Sequence, residues 1–332
     1  MQENRFALEV DGLEIPAALT APEGAAAALL LIPGSMNSDL DGNFAPLFPG
    51  QPAATPHAYR DLAEQLYDLG IAVLRYAKSG PGTGCVARDA ELAKARYREF
   101  GQRRRVAGAF WEELGRRAPR LARFAAGHSE GAVVATQLGR ERGDMAGLVL
   151  LSGPSLPLLR LMMWQRYEQE RAAGALTTER ERQYGEACTW ADAYAAGRPL
   201  APETGAGHPY ADMLPFFLQP ANAPYLRSLE QVDPAGELAR TTLPVLLVQG
   251  GRDPSVIPAN VARLRQARPE AAVAEFPVLQ HFYKEAPEGA PPEQLFGLTT
   301  TSDPAVAAAV AKWMRGYTGG CGIARGDPAR PV

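Results

Sequence analysis

Residues Gly127-His128-Ser129-Glu130-Gly131 carry the G-x-S-x-G spacing of a nucleophile elbow, a tight turn that presents a serine hydroxyl for attack. An apolar run, Leu121 to Ala126, precedes the turn, and a small-residue stretch, Ala132 to Leu138, follows it. That is the strand–turn–helix setting such a turn needs. The turn is strained, so the positions beside the serine must be small, and glycines stand two before and two after Ser129. A serine hydroxyl attacks only with a base in hydrogen-bond reach and a group that orients the base. The chain has four histidines, which permits elimination. His128 is the neighbour of the serine and points away from the attack direction. His57 opens an early helix and caps or packs there. His208 falls in a stretch that reads as an insertion. His281 follows the last strand, where loops converge on a site, and is the expected base. The orienting acid should leave another strand end. Asp253 does so in Gly250-Gly251-Arg252-Asp253-Pro254, 28 residues before His281. Asp233 competes, but it precedes that strand instead of following it.

Attack on a carbonyl builds charge on its oxygen, which needs fixed donors. One should be the backbone N–H of Glu130. The other should come from the loop after the first buried strand, at Ser35 or Met36, where Gly34 lets the backbone approach closely. The residue types do not separate these two.

These groups need a scaffold. Arg5 to Val10 and Leu13 to Leu19 read as a hairpin around Asp11-Gly12. Strands follow at Ala27 to Ile32, Ile71 to Tyr76, Leu121 to Ala126, Gly147 to Leu151, Pro244 to Val248 and Ala272 to Val278. Helices are expected at His57 to Leu69, Val106 to Leu114, Ala259 to Ala267 and Pro304 to Met314. Apolar strands alternating with helices predict an α/β fold with a mostly parallel, doubly wound sheet. The rhythm breaks for roughly 80 residues, so residues 1–154 and 236–316 read as the core and 155–235 as an inserted helical cap. Residues 317–332 read as a disordered tail. Met162, Met163, Trp164, Phe216 and Phe217 in the cap either line a substrate pocket or form the cap's own core, and the sequence does not choose.

A chain of 332 residues with 46% hydrophobic and 21% charged residues is an ordinary globular composition. The net charge of −3 gives no case for nucleic acid. Arg103-Arg104-Arg105 has acids nearby and reads as a solvated helix face. The longest apolar run, Ala25 to Ile32, cannot span a bilayer. The residues from Met1 lack the apolar centre of a signal peptide, and the three cysteines are sparse, so the expectation is a cytoplasmic protein with reduced thiols. Those cysteines suggest no metal site, and Gly82-Thr83-Gly84 completes no phosphate loop.

Ile32-Pro33-Gly34-Ser35, Asp39-Leu40-Asp41-Gly42-Asn43, the stretch from Tyr59 to Glu64 leading to Ile71–Tyr76, and the elbow itself resemble bacterial α/β-hydrolases. The likeness is to serine aminopeptidase-like, lysophospholipase-related esterases, over roughly residues 5–154 and 236–316. The order Ser129, Asp253, His281 is that of α/β-hydrolase triads. The resemblance implies the α/β-hydrolase fold and a serine carboxylesterase that acts on a small-molecule ester through an acyl-enzyme, without a cofactor. It departs at Ala77-Lys78-Ser79-Gly80, where family members carry an aspartate and a basic residue, and in the glycine-rich stretch Pro81 to Cys85. That loop should border the pocket and alter substrate choice. Ser129 argues against dehalogenases and epoxide hydrolases, which need an acidic nucleophile. A thioesterase or acyltransferase could use the same triad, as could a peptidase in which Glu168, Glu170 or Glu203 anchors the substrate amine. The other class is a non-catalytic binding protein on a hydrolase fold.

Overall fold

A computed structural model describes residues 3–45, 53–80, 82–89, 91, 99–290, 294 and 297–318. Residues 319–332, most of the expected tail and with it Cys321, lie outside them. The hairpin forms from β1 (Glu3–Val10) and β2 (Leu13–Thr20), turning at Asp11 and Gly12, both with positive φ. β3 (Ala27–Ile32), β4 (Ile71–Tyr76), β6 (Ala122–His128), β7 (Gly147–Leu151), β8 (Val245–Gly250) and β9 (Ala272–Phe276) build the rest, with a two-residue β5 (Val86–Ala87) beside β2. The main order is β1-β2-β4-β3-β6-β7-β8-β9. Pairs along the hairpin and between β2 and β4 are antiparallel, and all pairs from β4 through β9 are parallel.

Every residue of β3, β4, β7 and β8 is buried, which requires cover on both faces. One face packs against α2 (Phe100–Arg117) and α3 (Glu130–Glu141), the other against α1 (Ala58–Asp68) and α10 (Pro304–Arg315). Between β7 and β8 the chain forms α4 (Leu158–Ala172), α5 (Thr178–Ala195), α6 (Leu214–Leu218), α7 (Ala223–Glu230) and α8 (Pro234–Ala239). Leu159, Met163, Tyr194, Leu214, Phe217 and Leu226 give these helices a hydrophobic cluster of their own. Leu229 and Leu238, by contrast, join the cluster on the sheet. The helix α9 (Ala259–Ala267) then separates β8 from β9. Among the described residues no helix is long and apolar enough to cross a membrane.

Several elements differ from their sequence-based extents, β9 and α2 among them. β9 stops at Phe276 instead of Val278, because Pro277 has no N–H to give the ladder. The helix expected at Val106–Leu114 runs from Phe100 to Arg117. Within it Arg104 and Arg105 are solvated and pair with Glu141 and with Asp11 and Glu99. Arg103 is not part of a solvated face: it is buried, with Nη1 on the Ser79 carbonyl at 2.8 Å.

The loop that follows β9 is anchored to α1 by a buried ion pair. Asp61 Oδ2 accepts from Lys284 Nζ at 3.1 Å and from the Ser302 N–H at 2.9 Å, and Lys284 also donates to the Thr300 carbonyl. Removing one member of such a pair strands a buried charge. Asp61→Ala is therefore expected to cost about 3–5 kcal/mol, read as a lower denaturant midpoint at unchanged slope. An unchanged midpoint would show that the pair does not hold this loop.

Candidate active site

Ser129 stands between β6 and α3 with φ 54° and ψ −122°, a backbone conformation that non-glycine residues rarely adopt. Its neighbours make the turn possible. A Cβ on Gly127 would lie 2.0 Å from the Gly131 carbonyl oxygen, and one on Gly131 would lie 2.4 Å from the Ile32 carbonyl oxygen. The turn is held by the Ser129 N–H, which donates to the Leu151 carbonyl at 2.8 Å. Its hydroxyl sits at the end of a parallel strand, as do the loops after β3, β8 and β9.

His281 and Asp253 come from two of those loops. His281 Nδ1 lies 2.8 Å from Asp253 Oδ2. A carboxylate can only accept, so Nδ1 carries a proton and donates it to Asp253. The carboxylate is fixed from its other side: Oδ1 accepts from the N–H groups of Ser255 at 2.8 Å and Val256 at 2.9 Å. Asp233, the competing acid, is exposed at the start of α8. His281 and Ser129 line one cavity of about 170 Å³.

The other histidines have structural surroundings. His128 is buried, with Nε2 3.0 Å from the His281 carbonyl and Nδ1 3.2 Å from the Tyr59 hydroxyl, which itself accepts from the Gly34 N–H at 2.8 Å. The carbonyl requires a proton on Nε2, so Nδ1 accepts from Tyr59. Burial, reinforced by the neighbouring His281 ring, pushes the His128 pKa down to about 3, so it stays neutral. This row of bonds joins the loop after β3 to the backbone that carries His281. His57 takes the N-cap position of α1 without a side-chain cap bond, and His208 packs edge-on to Trp190 among the inserted helices.

Ser35, Met36 and Glu130 line the same cavity as Ser129. Among the described residues their backbone N–H groups have no protein acceptor. The geometry does not choose between Ser35 and Met36, although Met36 holds an unusual positive φ of 64°.

The apolar lining comes from Val133, Leu156, Leu158, Leu161, Leu229 and Val256. The residues expected for this role lie elsewhere. Met163 and Phe217 are in the core of the inserted helices, with Met162 packed against it. Trp164 packs behind the lining, against Leu161 and Val256. Phe216 is half exposed and lines a neighbouring cavity. Helical periodicity finds the apolar face of α4 but does not say which turns of that face meet the sheet.

The surroundings of known proteins agree with this architecture. The family model described as serine aminopeptidase, S33, matches residues 54–175, about a third of the chain. Esterase EstD of Thermotoga maritima is 26% identical over 255 residues, which are 74% of this chain and 51% of that protein. The chain thus spans about half the length of the curated relative it matches. The crystal structure of the esterase domain of a Rhodothermus marinus protein superposes with a TM-score of 0.55 at 16% identity, over 96% of this chain and all of that one. Est1E from Butyrivibrio proteoclasticus gives a TM-score of 0.55 at 15% identity, over 95% and 99% of the two chains. The chain has the α/β-hydrolase fold.

Within this fold the loop after β4 supplies a residue that the sequence flagged only as a departure. Lys78 is buried, and its Nζ donates to the Gly34 carbonyl at 2.6 Å and to Glu130 Oε1 at 2.8 Å. It therefore ties together the two segments expected to hold the oxyanion donors. Burial would raise the Glu130 pKa, but Lys78 and Arg103 more than offset it and keep the carboxyl below its ordinary value. Burial pulls Lys78 down to about 8; Glu130 opposes that shift and Arg103 adds to it. As pH rises through about 8 the ammonium is lost and the charged tie with it. Any ester turnover by this site is therefore expected to fall above that pH. In Lys78→Met it should be lower throughout, by about 10²-fold, with the alkaline limb gone. An alkaline limb that persists in Lys78→Met would assign it to another group.

Proposed function

We propose that the protein is a serine hydrolase that cleaves carboxylic esters of small molecules through an acyl-enzyme. The observation that carries this reading is the buried His281–Asp253 hydrogen bond, with His281 and Ser129 opening onto one cavity. In the proposed reaction His281 Nε2 takes the Ser129 proton as Oγ attacks the ester carbonyl. Asp253 holds the ring and stabilises the imidazolium that forms. The oxyanion is received by the N–H of Glu130 and by that of Ser35 or Met36. His281 then protonates the leaving alcohol, and water, activated by the same ring, releases the acid. No cofactor is needed. The apolar lining by Leu156, Leu158, Leu161 and Leu229 suits a hydrophobic acyl or alcohol group. A cytoplasmic location fits the sequence features above and belongs to the same proposal.

A fluorophosphonate probe should label Ser129 in the purified protein and not in Ser129→Ala. Against a panel of nitrophenyl esters, thioesters and aminoacyl anilides, the esters should turn over fastest. Ser129→Ala and His281→Ala should each lower kcat by about 10⁴-fold or more, and the double variant should be little worse, because the three groups act as a unit. Asp253→Asn should hurt less than either. A folded protein that takes no label would favour a binding role instead, and a preference for thioesters or anilides would move the substrate class while keeping the triad.

A further inference from the structure

A second cavity, of about 330 Å³, lies against the first and shares Ser35, Met36, Glu130 and Leu158 with it. Its character is different. Lys78, Arg103, Glu130 and Tyr225 line it, and all three of its charged residues are at least nine-tenths buried.

The charges there do not balance. Both oxygens of Glu130 are already in use: Oε1 by Lys78 at 2.8 Å, and Oε2 by the Tyr225 hydroxyl at 2.7 Å and more loosely by the Ser35 hydroxyl at 3.4 Å. Arg103 is the second cation. It is 9% exposed, and its Nη1 donates to the Ser79 carbonyl at 2.8 Å and the Ser79 hydroxyl at 2.5 Å, both neutral acceptors. Its Nε is buried with no acceptor, and among the described residues no carboxylate pairs with it. The guanidinium carbon lies 5.4 Å from the centre of the Tyr225 ring. A guanidinium cannot shed its proton to escape burial, so an uncompensated one is costly unless an anion meets it. Two buried cations against one carboxylate leave an excess positive charge at the wall of a cavity that opens onto the oxyanion loop.

We propose that this cavity is a substrate subsite that receives an anionic group, a carboxylate or a phosphate, borne by an ester whose scissile bond lies at Ser129. Arg103 is its specificity-determining residue, with the planar donor fork suited to either anion. Lys78 stays engaged by Glu130 and keeps that carboxylate from repelling the ligand. The apolar cavity takes one side of the ester and the polar cavity the other. This inference rests on the ester-hydrolase reading, and the test keeps the two apart.

Ser129→Ala protein is titrated by calorimetry with methyl hydrogen glutarate, 2-acetoxyethyl phosphate and uncharged methyl valerate. At least one anionic ester should bind about tenfold or more tightly than methyl valerate, and which one does so distinguishes carboxylate from phosphate. In Arg103→Met on the same background that preference should vanish, and Arg103→Lys should keep part of it. In the active protein the kcat/KM ratio of anionic to neutral ester should follow the same order, through KM. Equal binding of all three esters would overturn the subsite, whether or not the protein turns any of them over. A preference that survives in Arg103→Met would do the same. Arg103-dependent binding of an anionic ester without turnover would keep the subsite and overturn the hydrolase reading.

Discussion

The strained turn at Ser129 is the constraint on which the rest of the site hangs. A residue held at φ 54° and ψ −122° persists only where the surroundings over-determine it. Here they do so on three sides. β6 delivers the chain to the turn, α3 carries it away, and β3 presses against it so closely that no side-chain atom fits at Gly131. That close approach also brings the loop after β3 beside the helix N-terminus. Ser35 and Met36 from one segment and Glu130 from another thereby line one cavity, at the helix end that favours negative charge.

A second layer of polar contacts holds the converging loops to one another. Lys78 bridges Gly34 and Glu130, and the row Gly34–Tyr59–His128–His281 crosses from the loop after β3 to the loop after β9. Arg75, fully buried in β4, reaches Glu3 at 2.6 Å and Asp41 at 2.8 Å and so anchors the loop after β3. Such contacts are expensive to leave half made, because each buries a charge or a polar group that water would otherwise satisfy. They also differ in how they answer pH. His128 is neutral over the working range, whereas Lys78 changes charge within reach of it.

The inserted helices divide their labour. The inner faces of α4 and α7 supply Leu158, Leu161 and Leu229 to the cavity, while Met163 and Phe217 hold the helices to each other. Tyr225 of α7 reaches back to Glu130, so the insertion touches the segment after Ser129 through a polar contact as well as an apolar one. The walls of the cavity are therefore built jointly by the insertion and the sheet.

Much of this was legible along the chain, because it is encoded locally. The strands Ala27–Ile32, Ile71–Tyr76 and Gly147–Leu151 and the helix Ala259–Ala267 have the bounds that their apolar patterns and flanking breakers predict. The elbow is a steric code in five residues, and the positions of Asp253 and His281 follow from counting strand ends. What periodicity could not supply was depth. Arg103 looks like its solvated neighbours Arg104 and Arg105, yet it points inward beneath Tyr225; Lys78 looks like a loop lysine, yet it is buried against Glu130. Met162, Met163 and Trp164 share an apolar helix with Leu158 and Leu161, yet the second pair meets the cavity. Local sequence determines which residues must be small, extended or helical, since those are contests within a few bonds. Which charge finds a partner, and which apolar side chain faces a cavity, depends on segments tens of residues away, and only the packed tertiary structure decides it.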